Sequence, residues 1–190
     1  MKRAVLLHGT SSHPTHNWQP WIKKQLELAG YEVFAPELPD NDVPSRRKYD
    51  MFLRSSGWDF SDNLLIGHSS GATTILNLLS SDWLPHVKSA VLVGTFLEET
   101  LLKNRDSYIK DQFVDLFPSD GYDTHSIQKK VDHMYFIHGD QDPLCDIDTA
   151  RAFCRSVGGT FITVQGAGHF SSPATELPEI ISTLQQYSDF

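Results

Sequence analysis

The sequence predicts an α/β three-layer sandwich with a mostly parallel central sheet of about six strands, and three observations carry that expectation. Short continuous apolar runs alternate with segments of helical period along the whole chain, the pattern of βα units whose strands are buried on both faces. Most of these runs stop at a glycine-marked turn, as at His8-Gly9, Gly67, Gly94 and Gly139. The length, 190 residues, suits one domain able to bury roughly 70% of its unfolded surface around a single good-sized core.

Taken in order, Ala4 to Leu7 is a buried-strand run. Trp18 to Ala29 places apolar groups at Trp18, Trp21, Ile22, Leu26 and Ala29, with Pro20 suited to a first turn and Gly30 just past the end, and predicts an amphipathic helix. Tyr31 to Ala35 predicts the second strand, and Pro36 to Pro44 a proline-punctuated loop. Ser45 to Ser56 predicts a capped helix presenting Tyr49, Phe52 and Leu53 to the core. Leu64 to Gly67 is the third strand, Gly71 to Ser80 a helix, and Ala90 to Gly94 the fourth strand. Met134 to Gly139 and Thr160 to Gln165 complete the sheet, with a helix over Asp148 to Val157 between them and a closing helix over Pro173 to Tyr187. The exception is the stretch of about 40 residues between Gly94 and Met134, which has helical patches around Leu97 to Tyr108 and Ile109 to Phe117. Residues 95–130 are expected to form at most a small cap on one domain spanning 1–190.

Sixteen Lys and Arg against 24 Asp and Glu leave a formal net charge of −8, the wrong balance for a nucleic-acid groove or an anionic membrane surface. The four apolar residues behind Met1-Lys2-Arg3 are too few for a signal-peptide core, and no window approaches the ~20 apolar residues of a membrane span. Cys145 and Cys154 match no zinc or disulfide spacing. A cytoplasmic protein is expected, acting on a small-molecule ester or acyl substrate without nucleic acid or membrane; no protein partner is specified.

The strongest chemical signal is Gly67-His68-Ser69-Ser70-Gly71, a G-x-S-x-G sequence between a predicted strand and a predicted helix. A serine on such a sharp turn needs small flanking residues because the backbone is strained and the adjacent chain comes close. Its hydroxyl needs a base. His169, in the glycine-rich run after the last predicted strand, is well placed to supply it, and Asp142, just after the preceding strand and before Pro143, to orient the imidazole. The order Ser69, Asp142, His169 is that of the α/β-hydrolases. Backbone N–H groups of Thr10 and Ser70 would bind an oxyanion. Asp140, Glu98 and Glu99 are alternative acids. His68 reads as a packing or hydrogen-bonding neighbour, His138 as a core histidine, and His8, His13 and His16 as a weak metal alternative. Trp18, Trp21, Phe96, Leu97, Leu144 and Phe170 are candidate walls of an acyl pocket, with the two tryptophans and Phe170 forming an open aromatic surface suited to short acyl groups.

With these residues in place, the chain resembles the small α/β-hydrolase family of retinoblastoma-binding protein 9 and the bacterial YdeN-type serine hydrolases. The resemblance runs from His8-Gly9 through Trp18 and Trp21, Leu38-Pro39-Asp40, the GHSSG turn and Gly139 to Pro143, to Gly168-His169-Phe170. It implies an α/β-hydrolase-like fold, a Ser69-Asp142-His169 triad and no cofactor or metal. The Leu-x-Cys-x-Glu segment of retinoblastoma binding is absent, since Leu144-Cys145-Asp146 has the wrong spacing. The expected activity is hydrolysis of carboxylic esters, thioesters or amides through an acyl-serine; the competing expectation is a non-catalytic interaction module that keeps the fold.

Overall fold

A computed structural model of the chain describes residues 1–104, 106, 108–187 and 190. Six strands form one sheet in the order β2-β1-β3-β4-β5-β6, with every pairing parallel. They are β1 (Lys2–Leu7), β2 (Tyr31–Phe34), β3 (Leu64–His68), β4 (Val87–Val93), β5 (Val131–Gly139) and β6 (Thr160–Val164). The helices are α1 (Gln19–Leu28), α2 (Arg46–Arg54), α3 (Ser70–Leu79), α4 (Thr124–Lys130), α5 (Ile147–Ser156) and α6 (Pro178–Gln186).

The apolar runs are continuous because both sheet faces are covered. Val5, Leu7, Leu65, Ala90, Leu92 and Phe136 point into a core shared with α2, α3, α4 and α5. Their neighbours Ala4, Leu6, Ile66, Val91, Tyr135 and Ile137 point into a second core with α1 and α6. Side chains on a strand alternate faces, so one unbroken run supplies both layers. Ser45 caps α2 by accepting a hydrogen bond from the Lys48 N–H at 3.2 Å, and Tyr49 and Leu53 are buried as predicted while Phe52 packs at the margin.

The segment after β4 differs from its expectation. Among the described residues the patches between 97 and 117 hold turns and one 3-10 turn at Leu102–Asn104, positions 105 and 107 lying outside those residues, and 124–130 belongs to α4, whose Ile127 is buried against the sheet. The apolar residues that suggested helices instead form a small core of their own, with Phe96, Leu102, Phe113 and Leu116. It is tied down by hydrogen bonds from Asn77 to the Leu116 carbonyl (2.9 Å) and from the Arg46 N–H to the Asp115 carbonyl (2.9 Å). The closing helix starts at Pro178, later than Pro173. Among the described residues no helix is long and apolar enough to cross a membrane.

Candidate active site

The C-terminal ends of β1, β3, β4 and β5, with the loop beyond β6, converge on one place, where ligands bind in open parallel sheets. β3 runs straight into α3 through Ser69, whose φ of 56° and ψ of −123° are costly for any residue with a side chain. The flanking glycines make this turn possible. A Cβ on Gly67 would lie 2.6 Å from the Ala72 nitrogen, and one on Gly71 only 2.2 Å from the Leu7 carbonyl oxygen. The turn is fastened by the Ser69 N–H donating to Val93 (2.9 Å) and by its carbonyl accepting from Ala72 and Thr73.

Ser69 Oγ lies 2.9 Å from Nε2 of His169, and Nδ1 of the same ring lies 2.8 Å from Oδ2 of Asp142. With Nδ1–H donating to the carboxylate, Nε2 is left to accept the serine proton. Both side chains are nearly excluded from water, at 8% and 1% exposure. Burial by itself would raise the Asp142 pKa, but the bonds from His169, from the Leu144 N–H and from the Cys145 side hold it below the usual carboxylate range. Oδ1 is occupied separately, by the N–H groups of Leu144 (2.8 Å) and Cys145 (3.2 Å).

The alternative acids lie elsewhere. Asp140 accepts the Gly166 N–H at 2.6 Å and ties the loop after β5 to the loop that carries His169. Glu99 bonds Lys103 and Tyr108, while Glu98 borders a separate recess. Thr10 and Ser70 flank Ser69, with their hydroxyls 3.0 Å apart. Among the described residues neither backbone N–H donates to a protein acceptor, and Ser70 opens α3, where the helix dipole favours negative charge.

Two residues that sequence reasoning left in the background position the base. His68 is buried and donates from Nε2 to the His169 carbonyl at 2.7 Å. Burial, reinforced by the neighbouring His169 and opposed by its hydrogen bond to that carbonyl and by Asp142, lowers its pKa to about 3, so it stays neutral. Gly94, at φ 57°, leaves space for the His169 ring, which would lie 3.1 Å from a Cβ there. The Cys145 thiol donates to the Gly94 carbonyl at 3.1 Å, and burial raises its pKa well above the ordinary value, so it is no competing nucleophile.

The aromatic wall expected from sequence does not form. Trp18 is 1% exposed and directs its indole N–H into the Phe170 carbonyl (3.1 Å), edge-on to His68. Trp21 and Phe170 pack in the α1–α6 core, because α1 turns its apolar stripe to the sheet. Phe96 and Leu97 border a recess of about 10 Å³, room for one water at most. Leu144 borders both that recess and the cavity over Ser69. The cavity holds about 230 Å³ and is walled chiefly by Thr10, Ser11, Ser12, Asn17, Ser171 and Ser172.

Of the histidines considered for a metal, His8 donates to the Gly9 carbonyl and accepts from the Leu38 N–H, whereas His13 pairs with Glu37 and lies against the His16 ring at 5.7 Å. Among the described residues, one group has ligand atoms within metal-binding reach of one another, at 4.8 Å or less: His138, Asp142 and Cys145. Its Asp142 is already engaged by His169. His138 is fully buried, stacks on Phe161 and is neutral, its pKa lowered to about 4 chiefly by burial.

A family model described as Serine hydrolase matches residues 4–186. YdeN of Bacillus subtilis is 24% identical over 190 residues, covering 98% of this chain and 96% of its own. The serine hydrolase RBBP9 of Rattus norvegicus is 21% identical, covering 96% and 94%. Among solved structures, the B. subtilis ydeN gene product superposes with a TM-score of 0.83 at 21% identity over 100% of both chains. Est1E of Butyrivibrio proteoclasticus, with ferulic acid bound, superposes with a TM-score of 0.73 at 13% identity over 99% of this chain and 88% of its own.

Proposed function

The chain belongs to the serine hydrolase family, and on that premise we propose that it cleaves carboxylic esters through an acyl-serine intermediate. The observation that carries this reading is the unbroken relay from Ser69 through His169 to Asp142, at 2.9 and 2.8 Å. As Ser69 Oγ attacks the carbonyl carbon, its proton passes to Nε2 of His169. Asp142 stabilises the imidazolium and keeps Nδ1 protonated, without taking the proton itself. The carbonyl oxygen, now negative, is met by the N–H groups of Thr10 and Ser70. His169 then gives its proton to the leaving alcohol as the ester bond breaks. Water, deprotonated by the same nitrogen, attacks the acyl-serine; the bond to Ser69 Oγ breaks, His169 returns the proton to that oxygen, and the acid leaves.

Esters stand ahead of amides and thioesters because several solved neighbours of the same fold are esterases by name. Two unpaired buried thiols suit a reducing, cytoplasmic setting. A fluorophosphonate probe tests the reading directly: adduct mass should map to the Ser69 peptide, and Ser69→Ala should lose both the adduct and ester turnover while keeping its circular dichroism spectrum. Labelling that persists in Ser69→Ala would place the nucleophile elsewhere.

A further inference from the structure

The wall of the cavity says more about the substrate than the relay does. Leu144 is its one large apolar side chain among the described residues, and no Asp, Glu, Lys or Arg reaches it. Small-molecule sites are ordinarily lined mostly by apolar groups; this one is lined by hydroxyls, an amide and imidazoles. The side chains of Ser11, Ser12, Asn17, Ser171 and Ser172 make no hydrogen bond to another described protein group, so their donors and acceptors are open to whatever enters. Ser11 holds a φ of 51°, a left-handed backbone uncommon for serine. The Ser11 N–H is anchored to the Asn41 carbonyl at 3.2 Å.

Resting on the reading of Ser69 as nucleophile, we infer that the substrate is a small, neutral ester carrying free hydroxyl groups, and not a plain alkyl ester or a cationic one. An alkyl group in this cavity would strip water from the serines and Asn17 and return no hydrogen bond, whereas a hydroxyl donates to and accepts from the same groups. An ammonium group would find no carboxylate on the wall. The volume, about 230 Å³, falls below the ~300–1,000 Å³ of drug-sized sites, so the part of the substrate held inside is short.

Three methyl esters that differ at one position test this: methyl 3-methylbutanoate, methyl 3-hydroxybutanoate and methyl 3-aminobutanoate. For each, kcat/KM is divided by the hydroxide-catalysed rate constant of the same ester, which removes intrinsic reactivity. The hydroxy ester should exceed the 3-methyl ester by about tenfold, the worth of one or two well-made hydrogen bonds, and should exceed the amino ester as well. In a variant combining Ser12→Ala with Ser171→Ala, both solvent-accessible positions, the hydroxy-to-methyl ratio should fall by about threefold or more. A 3-methyl ester cleaved as fast as the hydroxy ester, an amino ester cleaved fastest, or a ratio untouched by the double variant would overturn the inference. Fluorophosphonate labelling of the wild type separates the two levels. Labelled Ser69 with an alkyl preference sinks the substrate class alone, and absence of labelling sinks the hydrolase reading with it.

Discussion

The two turns that meet at the site are held by opposite means. At 67–71 the constraints are local: two glycines that admit no side chain, a backbone bond to the adjacent strand β4, and the first turn of α3. At 166–172 there is no regular structure, and the backbone carbonyls of His169 and Phe170 are held by side chains from far away in sequence, His68 on β3 and Trp18 at the start of α1. The His169 ring is in turn fixed by Asp142 beyond β5 and by the gap at Gly94. The Ser69 turn is thus legible in five consecutive residues even though β1 and β4 close around it, while the fastening of His169 shows in no stretch of neighbouring residues.

Breaking the link that orients the base should have the largest effect. Asp142→Asn keeps the shape but favours the wrong imidazole tautomer, and kcat for a simple ester should drop by about 10⁴-fold, with Asp140→Asn far milder; the reverse ranking, measured on the same ester, would reassign the acid. The local turn should break differently, through the fold. Gly71→Ala drives a methyl into the Leu7 carbonyl and should cost about 3 kcal/mol or more, read as a lowered urea midpoint. A midpoint close to wild type would show that the β3–α3 turn relaxes freely.

His68 sharpens the contrast, because it belongs to the first turn in sequence and to the second in function. His68→Leu removes the donor to the His169 carbonyl and should lower kcat by up to about 10²-fold, the cost of a misplaced catalytic group, with little change in KM. His68→Gln, which keeps an N–H, should recover part of that loss. If both variants lose the same activity, His68 serves only to fill space.

The smallest expected effect is on stability with pH. The folded pKa of His68, about 3, lies below the unfolded value of about 6.5, so between them the unfolded chain binds a proton that the folded chain does not. Stability is therefore full above about pH 7.5 and is lost as pH falls, by about 2 kcal/mol from this residue between pH 7.5 and 5. Urea midpoints at those two pH values should converge in His68→Gln relative to wild type, and an unchanged difference would assign the acid sensitivity to His8 and His138, which burial also keeps neutral.

How far the sequence could be read follows the same division. The six strands and the nucleophile turn are spelled by neighbouring residues, since apolar runs and paired glycines are local signals. The cap region misleads because Ile109, Phe113, Leu116 and Phe117 have the spacing of a helix stripe, yet Phe113 and Leu116 pack with Phe96 and Leu102 in a small cluster of turns. In the sequence Trp18 and Phe170 read as a pocket wall, because exposed aromatics suit apolar substrates. Nothing in the linear pattern told that the Trp18 indole N–H would be claimed by the Phe170 carbonyl, 152 residues away. The serine-lined cavity is hidden in the sequence for a related reason, since Ser11, Ser12, Ser171 and Ser172 read as ordinary loop composition until two loops face each other.

The sheet order places β6 at a margin, bonded to β5 alone, with all five of its residues only partly buried. The loop bearing His169 departs from that margin, whereas Ser69 sits above the innermost strands. Warming loosens an outer strand before it reaches the middle of a sheet, so the base is the first part of the relay to drift while the nucleophile stays seated. Heat would silence this protein by unfastening one outer strand well short of melting it, and cooling would restore it by letting that strand settle back.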